Sequence, residues 1–245
     1  MPRTMTIAYC GPAAIPADLL TRWNFDPVLI VGLMLLAVAT ASGRSANARA
    51  SWAALLLMVF VFVSPLCALS SALFSARVFH HVLLVSAVAP LLAVAFPLRR
   101  MPYLPLPVLV AAQTLIFWGW HMPLAYEWGL SSVGGYWLMQ ATLLGSAWLV
   151  WRGVFAPATD TGAALVALVT TVAQMGLLAA LIVFSPRALY AVHFETTQAW
   201  GMSPLADQQL AGLLMWMPAA LPYAAIGLVM AWASLRPASV VATGR

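Results

Sequence analysis

The sequence predicts an all-α integral membrane protein, a bundle of about seven transmembrane helices with the N-terminus outside and the C-terminus in the cytoplasm. Three observations carry this. Of the 245 residues, 64% are hydrophobic and only 7% charged, and the mean hydropathy is +0.95. A soluble domain of this length has no interior large enough to hide that surface, so lipid is the solvent for most of the chain. The apolar residues fall in runs of about 20, the length that a helix rising 1.5 Å per residue needs to cross about 30 Å of hydrocarbon. The runs mix Leu, Val, Ala and Met without the alternation of a β-barrel strand. Backbone in lipid must close its own hydrogen bonds, and helices do so.

In chain order the spans are expected at 26–42, 52–74, 79–97, 107–124, 133–152, 162–185 and 206–234. The first is the shortest. The third enters after Arg77 with His80 and His81 in its first turns, and Pro90 and Pro97 kink it. The fourth ends in Trp118, Gly119, Trp120, His121, Met122 and Pro123. The seventh starts at Ser203-Pro204, with a capping serine, proline at the first position and Asp207 where the helix dipole favours a carboxylate. Pro218 and Pro222 kink it. The domain plan is an outer tail over 1–25, one bundle over 26–235 and a cytoplasmic tail over 236–245.

Orientation follows from the basic residues, all of which are Arg. With the N-terminus outside, seven face the cytoplasm (44, 49, 99, 100, 152, 236 and 245) and four the outside (3, 22, 77 and 187), with Arg99–Arg100 the strongest anchor. The net charge of +5 is therefore a topology signal, and no nucleic-acid partner is read from it. The first 25 residues lack a continuous apolar core before a small-residue cleavage site, so helix 1 is expected to be an uncleaved anchor. Cys10 and Cys67 are the two cysteines. A disulfide between them is open to an outer location, but two separate thiols, with Cys67 packed in helix 2, are the simpler expectation. The longest loop, 186–205, carries Tyr190, His193, Glu195, Gln198 and Trp200 and is a candidate functional segment.

In this topology His80, His81, His121, His193 and Asp207 converge on one outer layer. Ionisable groups at such depth are costly unless partnered or functional. Imidazole binds copper and zinc, and thioether sulfur selects Cu(I). Met122, Met202, Met215 and Met217 are in sequence reach of the same layer, and Asp207, Ala211 and Met215 share one face of helix 7. Gly212 would let another helix approach closely. Each feature also has a plainer explanation: a helix cap for Asp207, water contact for an interfacial histidine, packing for Met, an aromatic belt for the Trp residues. No nucleophile–base pair or open metal triad is apparent, so no enzyme is expected.

Three stretches in order carry a resemblance: Phe79-His80-His81 with Pro90; Trp118 to Pro123; and Ser203-Pro204-Leu205-Ala206-Asp207-Gln208-Gln209 through Gly212 to Met215-Trp216 and Pro218. With Asp26-Pro27 and Ser64-Pro65, they resemble the multi-span CtaG-like cytochrome c oxidase assembly factors over about residues 23–233. The resemblance implies a bacterial plasma-membrane protein that assembles a haem–copper oxidase by holding or supplying copper as Cu(I). Its implied partners are the oxidase subunits, the lipid bilayer and periplasmic copper chaperones. His81 and His121 are the implied ligands, Met215 a thioether candidate, Asp207 a ligand or supporting carboxylate, and His80 and His193 reserves. Two positions depart from the family pattern: Arg77 stands where the first of the paired histidines would fall, and Gln140 or Ala141 where a helix 5 histidine would. A transporter for copper or a small solute is the alternative reading.

Overall fold

The structure is a computed structural model describing residues 9–97 and 104–235. Arg3, Arg99, Arg100, Arg236 and Arg245 lie outside the described residues, and with them the expected loop anchor and the C-terminal tail. The described residues form helices, short 3-10 turns and connections, with no strand among them.

Local chemistry sets most helix starts. Asp26 caps α1 (Pro27–Ala41), accepting from the Leu29 N–H at 2.8 Å, and Pro27 fills the first position, where a missing N–H breaks no bond. Asn47 caps α2 (Ala48–Phe62) in the same way. At Ser64-Pro65 the helix loses a donor, and the chain bends by 45° into α3 (Leu66–Ala72).

The next span is continuous over 22 residues: α4 (Phe74–Leu83), a π turn (Leu84–Val88) and α5 (Ala89–Ala95). It begins earlier than the expected residue 79, at Phe74, so Arg77 lies inside the helix and not in an outer loop. The π turn precedes Pro90, whose ring crowds the turn before it. The widened turn leaves the Val85 carbonyl to accept from the Trp151 indole N–H at 3.0 Å.

α6 (Leu106–His121) stops short of the expected 124, because Pro123 starts α7 (Pro123–Ser131) at an angle of 77°. Ser132 caps α8 (Val133–Val154), and Asp160 caps α9 (Thr161–Val183). Ser203 caps α10 (Pro204–Trp216), accepting from Ala206 N–H as the sequence implies. A break at Pro218 separates it from α11 (Ala220–Leu235).

The helices close a ring: α4 packs on α10, α10 on α9, α9 on α6, α6 on α8, and α8 on α5. Outside it, α2 packs on α5, α1 on α2 and α11 on α9. The ring inverts the pattern of a soluble protein. Leu115, Val169 and Leu228 point outward at 74%, 68% and 72% exposure, while Arg77, His80, Gln113, Gln140 and Asp207 are buried.

Three helices are long and apolar enough to cross a membrane, 74–95, 161–183 and 204–235, and five if α2–α3 and α6–α7 each count as one bent span. The expected seven adds α1, which is short at 15 residues, and α8, whose length is diluted by Gln140 and Arg152.

Cys10 and Cys67 are joined by a disulfide, with Cα atoms 5.2 Å apart, where two separate thiols were the simpler expectation. The N-terminal tail folds back over one end of the bundle and makes this approach. Tyr9 stacks on Tyr136 at 4.7 Å, the Asn24 amide donates to the Phe62 carbonyl at 3.1 Å, and the Trp200 indole donates to the Ala14 carbonyl at 3.0 Å.

Candidate functional site

The capped end of the ring collects the start of α4, the end of α6, the start of α8, the 184–203 connection and the start of α10. Asp207 ties two of these together. Its carboxylate accepts from the Phe74 N–H at 2.7 Å, the Ser75 N–H at 3.1 Å and the Ser75 hydroxyl. Asp207 therefore caps a helix 133 positions away in sequence, and both oxygens are committed to it. Gln208 grips the neighbouring connection, donating to the Ile182 carbonyl and accepting from the Leu189 N–H at 2.6 Å.

His80, His81, His121 and His193 are all buried at this end. Neighbouring rings lie within van der Waals range: His80–His81 centroids are 5.7 Å apart and His81–His121 centroids 6.2 Å. The His121 Nδ1–H donates to the Phe117 carbonyl at 2.7 Å. That bond fixes the tautomer and leaves Nε2 as the lone-pair nitrogen, the arrangement usual for a metal-binding imidazole. His81 Nε2 receives the Gln140 amide N–H at 3.2 Å. His80 rests edge-on against Phe62 at 5.1 Å, and neither of its nitrogens has a hydrogen-bond partner among the described residues.

His193 is different, because both of its nitrogens are used. Tyr126 donates to Nε2 at 2.7 Å, and Nδ1–H donates to the Ala72 carbonyl at 3.2 Å. Burial, and after it the Arg77 guanidinium, push this histidine down to about 3, against the Ala72 bond that favours its charged form. Its chemistry is that of a neutral strut holding the 184–203 connection to α3.

Met215 is buried on the inner face of α10 with Asp207 and Ala211. Met122 and Met217 instead point outward, at 60% and 69% exposure, and leave the layer. The Trp residues of the aromatic belt act as donors: Trp118 to Gln174 at 2.9 Å and Trp120 to Thr142 at 2.8 Å.

Two residues read from the sequence only as departures prove to be central. Gln140 faces His81 directly. Arg77 is fully buried, with its guanidinium 5.3 Å from the Tyr136 ring centre. It stands at i, i+3 and i+4 with His80 and His81, and that helical spacing was the available signal that all three share a side of α4.

Among the described residues no three His, Cys, Asp or Glu groups are close enough to hold a metal ion together. The two histidines from different helices that could hold an ion between them are His81 and His121. Two metal–imidazole bonds of about 2 Å each fit between rings at the His81–His121 spacing, and Cu(I) accepts a small set of soft or imidazole ligands. An apolar cavity of about 580 Å³ lies elsewhere, lined by Leu106, Val110, Thr114, Ala163, Val166 and Ala167 between the first turns of α6 and α9.

A family model described as cytochrome c oxidase caa3 assembly factor (Caa3_CtaG) matches residues 30–237, most of the chain. The chain belongs to this family. No curated protein and no solved structure matches it. In this caa3 oxidase assembly factor, the matched region contains every histidine as well as Asp207 and Met215. Cys10 and the tail that reaches over the bundle fall outside that region.

Proposed function

We propose that this assembly factor receives copper and releases it to the oxidase, at His81 and His121, on the outer face of a bacterial plasma membrane. The observation that carries the reading is the His81–His121 pair, buried at one end of the ring with the His121 Nε2 lone pair free of its backbone bond. Met215, buried on α10 with Asp207 and Ala211, is the thioether candidate that would extend the site, and His80, without a hydrogen-bond partner among the described residues, is the reserve. Asp207 and His193 support the site by holding its helices, since their polar atoms are committed to the backbone and to Tyr126.

The outer location rests on the disulfide. Such bonds persist in oxidising compartments, and Cys10–Cys67 pins the N-terminal tail to the histidine end. That placement agrees with an N-terminus outside, and an odd number of passes, seven on this reading, would put the C-terminal tail in the cytoplasm. The proposed partners are the copper-receiving oxidase subunits and a periplasmic copper chaperone upstream.

Cu(I) titration of the detergent-purified protein tests this, beside His81→Ala/His121→Ala. The expected result is one Cu(I) per wild-type chain and at least tenfold weaker binding in the variant. Equal binding by the two proteins would remove the ligand assignment.

A further inference from the structure

Among the described residues, Arg77 is the buried Arg of the histidine layer, and a guanidinium there is a positive charge taken out of water. None of its three side-chain nitrogens has a hydrogen-bond partner among the described residues. Among the described residues the buried acid at this end is Asp207, and both of its oxygens are on the amino end of α4. The Tyr136 ring face lies 5.3 Å from the guanidinium and the Tyr126 and Tyr136 hydroxyls are near it, while helical spacing puts His80 and His81 on the same side of α4 as Arg77. A cation entering between His81 and His121 therefore approaches a desolvated like charge that no carboxylate neutralises by contact. In a low-dielectric interior such repulsion persists over several ångströms.

We propose that Arg77 is a resident cation that lowers the Cu(I) affinity of the His81–His121 position and speeds release of the metal. This rests on the copper reading above and adds the element that makes the position a point of transfer instead of a store. Gln140 acts in the same direction, because its amide N–H must leave His81 Nε2 before that nitrogen takes a metal.

The test compares wild type with Arg77→Gln and Arg77→Met, two neutral replacements of different shape, each first checked for an unchanged elution profile. Cu(I) is titrated against a chromophoric chelator, and its release is followed after a chelator jump. Both variants are expected to bind about 10- to 100-fold more tightly than wild type, with correspondingly slower release. Equal affinity in all three proteins would overturn the role of Arg77 and leave the copper reading standing. A gain in one variant alone would trace the effect to shape, and likewise overturn it. Copper bound by both variants and not by wild type would uphold the charge effect while removing the copper reading for the natural chain. No copper in any of the three would overturn both.

Discussion

Asp207 spends its carboxylate on α4, and this decides how a change there should behave. Replacing it with alanine leaves two buried backbone N–H groups and the Ser75 hydroxyl without their acceptor. Orphaned buried donors cost about 1–3 kcal/mol. Asp207→Ala is expected to lower the Tm measurably while the folded fraction keeps its copper stoichiometry. Loss of copper at an unchanged Tm would instead make Asp207 a ligand. The sequence offered a first-turn carboxylate favoured by the dipole of its own helix as the plain explanation for this residue, and in the structure the carboxylate is a cap instead. The helix it caps is α4 and not its own, and that lies beyond local sequence because the partners are 133 positions apart. The same distance hid the buried place of Arg77: without the Asp207 cap, nothing local starts a helix at Phe74.

Among the elements, α9 and α10 pack tightly at Gly212. A side chain at Gly212 would collide with Val183 and stand 3.0 Å from the Ala179 carbonyl. The sequence pointed to this glycine as a place of close helix contact, and the contact is with α9. Gly212→Val is expected to cost about 1–3 kcal/mol through overpacking, read as a fall in thermal stability, with Gly212→Ala milder. An unchanged melting curve for the valine variant would mean that the two helices part easily. Helix starts with their own cap, such as Asp26-Pro27 and Ser203-Pro204, were legible from a few residues. The bend after His121 was not placed: Pro123 ended one helix as it should, but it also opened α7, since proline suits a first turn as well as it breaks an interior.

At the scale of the whole molecule, a helical ring with a lipid-facing apolar exterior brings its buried histidines and its disulfide to one end. That convergence was legible because His80, His81 and His121 sit near the ends of apolar runs, where alternating passes bring them to one side. The disulfide was not, because it depends on the tail folding back through Tyr9, Ala14 and Asn24. The proposed role of the His81–His121 position is to pass copper to the oxidase. The most direct test is the copper content of caa3 oxidase purified from cells that lack this protein, complemented by wild type or by His81→Ala/His121→Ala. Fully metallated oxidase is expected with wild type, and copper-deficient oxidase both without the protein and with the double variant. Full copper in the oxidase from cells carrying the double variant, at equal protein levels, would contradict it.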